Sequence, residues 1–157
     1  TLIECINHIQ DTYGVTVYIE PGEAFVLNAG TLLTTVLETN YNGMHLAILD
    51  TSAACHMPDV LEMPYRPPLK DSGEPHEKAY TYRLGGPTCL SGDIVGDYSF
   101  DHELQEGERL EFLDMALYTM VKTNMFNGMN LPDIVIEDND DYTVYKTFGY
   151  QDFKSRL

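Results

Sequence analysis

A cysteine in a turn rich in glycine and proline is the first candidate for chemistry in this sequence. The stretch GGPTCLSGD, residues 85–93, places two glycines and a proline before Cys89 and an aspartate, Asp93, four residues after it. A turn this constrained can present a thiol at a fixed position, where it can donate a proton or act as a nucleophile. The alternative interpretation is that Cys89 is a small buried apolar residue.

A second candidate is the sequence EPGE, residues 20–23, which directly follows the β-branched and aromatic run VTVYI. The carboxyl ends of parallel strands are where α/β barrels place their active sites. A carboxylate such as Glu20 can keep a ring nitrogen protonated, and Gly22 lets a phosphate approach the backbone closely. The alternative is an ordinary turn, which a lone EPG sequence favours.

Two further groups of residues are weaker candidates. In LDTSAACHMPD, residues 49–59, Asp50 closes a predicted strand, and small residues leave room for a ligand before His56. A lone histidine is more often a structural hydrogen-bonding residue than a catalyst. Tyr118 precedes FNGMN, residues 126–130, and a hydroxyl with turn N–H groups can bind phosphate. The alternative for this second group is a core tyrosine followed by a loop.

The charge of the chain narrows the class of ligand. Its 157 residues carry a net charge of −16, which argues against a nucleic-acid surface because phosphate binding needs clustered Lys and Arg. A negative field raises the local concentration of a polyamine or a basic peptide. The alternative is that the acidic composition serves solubility alone.

The cysteines and the apolar pattern indicate the compartment. Cys5, Cys55 and Cys89 do not form a disulfide framework, and their spacing does not indicate zinc. The acidic run at 137–141 is predicted as a surface loop, being too short for a calcium-binding pattern. No segment resembles a secretory signal or a membrane span, so we expect a cytoplasmic protein with reduced thiols.

The elements that must position these residues are mostly strands. Apolar spacing predicts a helix over residues 2–13 ending at Gly14, then a strand at 15–19. A short helix is predicted within 116–126, and residues 56–69 are expected to be mostly irregular because they contain four prolines. The remaining predicted strands are AFVLNAG, TLLTTVLETN, GMHLAILD, YTYRLGG, RLEFLDM, DIVIED and YTVYKTF, with a hairpin connection at 40–43.

This pattern predicts a two-part, mainly β chain. Residues 1–23 read as the remnant of the last unit of an α/β barrel, and residues 24–157 as a β domain with a Greek-key or barrel-like core. A lone α/β unit has nothing to pack against, so we expect the chain to be the later part of a longer two-domain protein.

The motifs taken in order resemble the alanine-racemase-like, fold-type III pyridoxal-phosphate (PLP) decarboxylases. IEPGEAF, SAACHMPDVLEMPYRP, RLGGPTCLSGDIVGDYSF, MVKTNMFNGMNLP and FGYQDFKSRL are closest in wording to the branch acting on carboxynorspermidine and carboxyspermidine. The resemblance extends over nearly the whole chain. It implies PLP as the cofactor of the parent enzyme and decarboxylation of a carboxylated triamine as its reaction.

The resemblance also implies roles for particular residues. Glu20 would pair with the pyridine nitrogen of the cofactor, Gly22 would lie near its phosphate, and Tyr118 would approach the phosphate or the ring. Cys89 would enter the active site of the neighbouring subunit of a homodimer and protonate the carbon that has lost CO2. The residues implied near the amine end of the substrate are Asp50, Asp93 and, on the same loop, His56.

The chain departs from the family pattern in two respects. Many relatives have arginine where this sequence has Glu23, which leaves open what replaces that arginine. The family's Schiff-base lysine lies in an early barrel strand, and none of the five lysines here occupies such a context. We therefore expect the chain alone to be inactive and to bind PLP poorly. The competing hypothesis is a stand-alone acidic β domain that dimerises or binds a partner without catalysis.

Overall fold

The structure is a computed structural model that describes residues 1–139 and 141–157. Strands dominate it, with short helices between them and 3₁₀ turns at Gly22–Phe25 and Phe126–Gly128. In chain order the helices and strands are α1 (Leu2–Tyr13), β1 (Leu32–Tyr41), β2 (His45–Leu49), α2 (Ala53–His56), α3 (Asp59–Glu62), β3 (Tyr80–Gly85), β4 (Ile94–Phe100), β5 (Arg109–Phe112), β6 (Ile134–Asp138), β7 (Asp141–Lys146) and α4 (Tyr150–Lys154).

The first five strands form one sheet that closes on itself. Their order is β4-β3-β2-β1-β5, which places the last strand beside the first, as in a Greek key. The two free edges are joined by the segment 68–73, in which Leu69 bridges to Phe112 of β5 and Gly73 bridges to Ser99 of β4. Closure leaves little unpaired edge in this sheet. The predicted mainly β, barrel-like core is confirmed.

One parallel pair decides where the candidate site lies. β2 and β3 run parallel, with Ile48 opposite Gly85, whereas the other pairs in the sheet are antiparallel. A parallel pair needs a long crossover, and residues 50–79 supply it with α2 and α3. The carboxyl ends of β2 and β3 therefore lie side by side. α2 follows one end and the cysteine loop follows the other.

The core follows from alternating apolar residues along the strands. Every second side chain of a strand points to the same face, and here that face lines the barrel interior. α2 and α3 contribute further apolar side chains. The largest contributors to this core are Val36, Leu49, Met57, Tyr82, Leu84, Tyr98, Phe100, Leu110 and Phe112.

Two predicted strands near the start of the chain are absent. The helix at 2–13 is confirmed, with a capping box between Thr1 and Glu4 and a left-handed Gly14 at its end. Residues 15–19 lack strand pairing within the described residues, since a β-branched run becomes a strand only beside a hydrogen-bonded neighbour. Residues 24–30 form a 3₁₀ turn and further turns, because Asn28 takes a positive φ of 58° that interrupts extended backbone.

Two other local predictions need correction. Residues 116–126 form turns rather than a helix, because Tyr118 takes a positive φ of 52° in the middle of the segment. β4 was not predicted as a strand, since Gly96 interrupts its apolar run. The strands β1, β2, β3 and β5 and the hairpin between β1 and β2 are confirmed.

The final strands form a separate hairpin. Among the described residues, β6 and β7 pair with each other alone, and nearly all of their side chains are exposed. Both strands were predicted. Of the predicted acidic loop at 137–141, four residues lie in this hairpin, and Asp140 lies outside the described residues. None of the helices in the described ranges has the length and apolar character to span a bilayer.

Candidate functional site

The cysteine loop connects β3 to β4 and is closed at its base by backbone hydrogen bonds. The N–H of Gly86 donates to the carbonyl of Asp93 at 2.8 Å, and the N–H of Asp93 donates to the carbonyl of Leu90 at 2.9 Å. The loop therefore turns back on itself within eight residues. Cys89 lies near its tip and is exposed, so the interpretation of this cysteine as a buried apolar residue is wrong.

Asp93 anchors this loop from the inside. One carboxylate oxygen accepts hydrogen bonds from the Oγ1 and N–H of Thr88, at 2.6 and 3.2 Å. The other accepts from Ser52 Oγ at 2.9 Å and from the N–H of Ala54 at 3.1 Å. Asp93 is only 4% exposed, and a buried carboxylate is tolerated only when it is fully hydrogen-bonded in this way.

This environment bears on the predicted role of Asp93 beside the substrate amine. All four hydrogen bonds come from this chain, two from the cysteine loop and two from the start of α2. The geometry supports a loop-anchoring role, and contact of Asp93 with a substrate stays a prediction. Ser52 and Thr88, which the sequence analysis did not single out, complete this anchor.

Gly86 is required by the close approach of the loop to α2. A Cβ at this position would overlap the carboxylate of Asp93 and lie 2.7 Å from Ser52 Cα. Real Cβ atoms do not approach backbone atoms so closely. Glycine is therefore the one residue that lets the base of the loop rest against α2.

A second loop, residues 124–130, docks on the other side of α2. Asn124 donates its backbone N–H to the carbonyl of Cys55 at 2.9 Å and its side-chain amide to the carbonyl of Ala54 at 2.8 Å. His56 bonds to the carbonyl of Asn130 at 2.8 Å. The loop that was predicted as a turn with FNG is thus fixed at both ends by the same short helix.

His56 is a structural residue in this arrangement. Its Nδ1 accepts the N–H of Ser52 at 3.1 Å, so its Nε2 carries the proton that it donates to Asn130. Burial is the largest cause that lowers the pKa of His56, and the carbonyl of Asn130 and nearby Asp93 oppose it. The ring is 4% exposed. Its predicted place near the substrate stays a prediction, although both nitrogens bond to backbone.

The two loops meet at the thiol. Asn127 lies in the FNG turn with a left-handed φ of 57°, and its Nδ2 donates to the sulfur of Cys89 at 3.0 Å. Cys89 and FNG are separate candidates in the sequence, and the structure brings them into contact. Asn127 itself was not singled out, because a contact between residues 38 positions apart has no local signal.

Asp50 lies at the carboxyl end of β2 and keeps part of its carboxylate free. Its Oδ1 accepts hydrogen bonds from Thr34 Oγ1 at 2.6 Å and from the N–H of Thr35 at 2.8 Å. In the part of the chain that the structure describes, Oδ2 has no hydrogen-bond partner, and the residue is exposed. One oxygen therefore fixes the side chain while the other can bind a cation.

The predicted cofactor residues lie in a different environment. Glu20 and Gly22 are on an extended segment and the 3₁₀ turn after it, and a Cβ on Gly22 would meet no atom within 4 Å. Tyr118 is 57% exposed, and its ring faces the ammonium of Lys122 at 5.8 Å. Each of these residues is exposed, and they offer a carboxylate, unobstructed backbone and a phenol.

Two hydrogen bonds connect the segment after Gly22 to the segment before Tyr118. The carbonyl of Gly30 accepts the N–H of Met115 at 2.9 Å, and the N–H of Asn28 donates to Asp114 at 2.7 Å. Tyr65 donates its hydroxyl to Asp59 at 2.6 Å. Burial and this carboxylate raise the pKa of Tyr65, with a smaller effect from Glu23 on the EPGE turn.

Comparison with known proteins identifies the family of this chain. Residues 10–116 match the model of the pyridoxal-dependent decarboxylase C-terminal sheet domain. The chain belongs to this family. The match includes the cysteine loop, α2 and Asp50, and it ends just before the turn that carries Tyr118. The exposed thiol therefore belongs to a decarboxylase sheet domain.

Individual relatives of this decarboxylase sheet domain have polyamine substrates in their names. The carboxyaminopropylagmatine decarboxylase of Synechocystis is 48% identical over 88% of this chain and 36% of the relative. The carboxynorspermidine/carboxyspermidine decarboxylase of Herminiimonas arsenicoxydans is 39% identical over 98% of this chain and 41% of the relative. The chain thus spans less than half the length of these relatives.

A solved structure agrees with the fold over the whole chain. The crystal structure of carboxynorspermidine decarboxylase from Campylobacter jejuni, complexed with norspermidine, is 37% identical and has a TM-score of 0.88. The alignment covers 99% of this chain and 46% of that one. The expected family and the expected position of the chain as its C-terminal portion are confirmed.

Proposed function

We propose that this chain is the C-terminal part of a PLP-dependent enzyme that decarboxylates carboxynorspermidine or carboxyspermidine to the triamine. The observation that carries the proposal is the exposed Cys89 thiol on a loop anchored at the carboxyl end of two parallel strands. That loop lies in a chain similar over 99% of its length to a carboxynorspermidine decarboxylase. The stand-alone binding module has no comparable support.

The part of the reaction assigned to this chain is a proton transfer. The C–C bond between the substrate carbon and its carboxylate breaks, and the carboxylate leaves as CO2. The bonding electron pair stays on that substrate carbon. When bound, PLP supplies a cationic ring that accepts this pair temporarily. The S–H of Cys89 then donates its proton to the same carbon, forming the C–H bond of the amine product, and the thiolate regains a proton from water.

The residues predicted for PLP fit its chemistry. Glu20 offers a carboxylate for a pyridinium N–H, and Gly22 offers backbone that no side chain obstructs. The Tyr118 hydroxyl is accessible to a phosphate. Within this proposal, these groups supply part of the cofactor contacts, and the rest come from outside this chain.

The positions of the lysines are consistent with a Schiff-base lysine outside this chain. Three of the five lysines are engaged with carboxylates: Lys70 with Glu111, Lys78 with Asp101 and Lys122 with Glu62. The other two, Lys146 and Lys154, lie on the exposed strand β7 and on α4. A lysine that binds a cofactor aldehyde must be available as a nucleophile. We therefore infer that the Schiff-base lysine lies in another part of the enzyme and that this chain alone does not release CO2.

The substrate class is supported by charge. A triamine is polycationic, and the net charge of −16 raises its concentration near the protein. Asp50 presents its free oxygen at the same barrel end as the cysteine loop, because the carboxyl ends of β2 and β3 are adjacent. We assign Asp50 to a substrate ammonium.

We also propose a homodimer in which Cys89 serves the active site of the neighbouring subunit. The loop faces outward from its own barrel and is fixed internally, as a group that acts across an interface must be. A thiol that donates protons must stay reduced, which is consistent with a cytoplasmic location. Within this proposal, residues 1–23 belong to the cofactor barrel and residues 24–157 form the sheet domain.

A second candidate substrate is carboxyaminopropylagmatine. The relative with this name is the more similar in sequence, at 48% identity against 37% and 39% for the two others described above. Its far end is a guanidinium rather than an ammonium. A guanidinium binds a carboxylate through two parallel hydrogen bonds, which one free oxygen of Asp50 does not provide.

Substrate-dependent CO2 release by the complete enzyme tests the proposal. We expect turnover with carboxynorspermidine or carboxyspermidine, a lower kcat/KM with carboxyaminopropylagmatine, and none from this chain alone with PLP. A complete enzyme that releases CO2 from none of the three substrates would contradict the function. A preference for carboxyaminopropylagmatine would replace the first substrate assignment by the second.

A further inference from the structure

We propose that Asn127 is a positioning residue that holds the sulfur of Cys89 in place and stabilises its thiolate through the side-chain N–H. The Nδ2 to Sγ distance is 3.0 Å, short for a hydrogen bond to sulfur. The catalytic meaning of this contact rests on the proposed function. The contact itself is a property of this chain and can be tested without cofactor or substrate.

Both partners of the contact are anchored independently. The cysteine loop is fixed to α2 through Asp93, which bonds to Ser52 and Ala54. The FNG loop is fixed to the same helix through Asn124, by backbone and side-chain bonds of 2.9 and 2.8 Å. The amide and the thiol are therefore held towards each other by one rigid support.

The backbone conformation at Asn127 is a second reason to assign its side chain a role at the thiol. Its φ is 57° and its ψ is 20°, a left-handed conformation that glycine adopts without cost and asparagine tolerates. Gly128 also has a positive φ, of 77°, so the turn does not need a side chain at either position. The side chain of Asn127 instead has a use in the thiol contact.

The chemistry of the contact fits the recovery of a proton donor. After Cys89 has given up its proton, the thiolate keeps its place because an N–H donor stabilises the negative sulfur. Asn127, which faces the thiol, is neutral, and the acidic residue at the base of the loop, Asp93, has its carboxylate occupied by four hydrogen bonds. A carboxylate at position 127 would oppose the thiolate.

The experiment is the rate of Cys89 alkylation by iodoacetamide in a Cys5→Ser background. Cys55 is buried and serves as the internal reference. Asn127→Gly keeps the backbone conformation and removes the donor to the sulfur, so we expect Cys89 to be alkylated several-fold more slowly at neutral pH. Asn127→Asp is expected to slow alkylation further, because it adds a negative charge beside the sulfur.

The controls separate this effect from loss of structure. Asn28→Gly makes the same exchange at another left-handed position, with φ 58°, and is expected to leave the alkylation rate unchanged. Cys55 bonds to the carbonyl of Phe126 in the FNG loop, so its continued protection shows that the loop stays docked. If Cys55 becomes reactive in Asn127→Gly, the loop has detached in that variant, and the result for Asn127→Asp alone tests the proposal.

Identical alkylation rates in the original background and in both Asn127 variants would overturn the proposal. In the complete enzyme, Asn127→Gly is expected to lower kcat several-fold, with KM within about a factor of two. Failure of the proposed function and failure of the proposed role of Asn127 give different results. An enzyme inactive with all substrates refutes the proposed function but leaves the slower alkylation standing, whereas an active enzyme without slower alkylation refutes the role of Asn127.

Discussion

The thiol side and the cofactor side of this chain differ in how their positions are fixed. Cys89 projects from a loop anchored by a buried carboxylate with four hydrogen bonds and braced by a second loop on the same helix. Glu20, Gly22 and Tyr118 are exposed and lie outside the α-helices and β-strands. The hydrogen bonds that anchor the thiol loop all come from this chain, whereas the residues proposed for the cofactor are exposed.

This difference has an energetic basis. Buried polar groups with all hydrogen bonds satisfied define one arrangement, because breaking any bond leaves an unpaired group out of water. Exposed turns have water as an alternative partner and are less strictly defined. Substitutions on the thiol side should therefore affect stability as well as chemistry, and those on the cofactor side chemistry alone.

The largest expected effect is that of Gly86→Ala. The new methyl group would overlap Asp93 and approach Ser52, so we expect a loss of about 3 kcal/mol in the free energy of unfolding. Gly92→Ala in the same loop is the matched control, since a Cβ there meets nothing within 4 Å. Urea denaturation measures both, and equal stability of the two variants would refute the required close approach.

Asp93→Asn should have the next largest effect. The amide group of asparagine would face donors that now bond to a carboxylate, so about 2 kcal/mol of stability should be lost. Asp71→Asn, at an exposed position, is the control. The same denaturation experiment applies, and a neutral result for Asp93→Asn would show that the anchor does not hold the loop.

His56 predicts the pH dependence of the thiol side. Its pKa in the folded chain lies below the unfolded value of about 6.5, because burial disfavours the charged ring. The native state therefore resists protonation that the unfolded state accepts. Stability from this residue is present above that pH and is lost as pH falls through and below it.

His56→Gln should reduce that loss between neutral and mildly acidic pH. His8→Gln, on exposed α1, should not change it. Thermal unfolding followed at several pH values makes the comparison. An unchanged pH profile in His56→Gln would show that His56 does not cause the loss of stability at mildly acidic pH.

The smallest expected stability change is on the cofactor side. Tyr118→Phe removes an exposed hydroxyl without a protein hydrogen bond among the described residues, so the melting temperature of this chain should not change measurably. The same change in the complete enzyme should weaken PLP binding, which a cofactor titration measures. Destabilisation of this chain by Tyr118→Phe would mean that the segment around Tyr118 is also held by internal contacts.

The sequence predicted the parts of this molecule that local patterns encode. Alternating residues gave β1, β2, β3 and β5, and Gly14 gave the end of α1. The run at 15–19 had strand-forming residues, but a strand also needs a neighbour that composition cannot reveal. β4 was missed because Gly96 interrupts its apolar pattern.

The site was predictable residue by residue but not as an assembly. Cys89, His56 and Asp93 stand out by type and by neighbouring turn residues. The inward orientation of Asp93, however, depends on Ser52, which lies 41 positions away. Asn127 becomes relevant only because the parallel β2–β3 pair and the long crossover bring both loops to α2. Such distant contacts arise from topology, and a single sequence carries no local signal for them.

The central claim is that Cys89 is the proton donor of a polyamine decarboxylase, and the kinetics of Cys89→Ala in the complete enzyme test it most directly. Since protonation follows binding, kcat for carboxynorspermidine should fall by roughly 10²–10⁴-fold while KM stays within about a factor of two. Cys5→Ala, on the exposed α1 helix, should leave both unchanged. A Cys89→Ala enzyme with unchanged kcat would contradict the account.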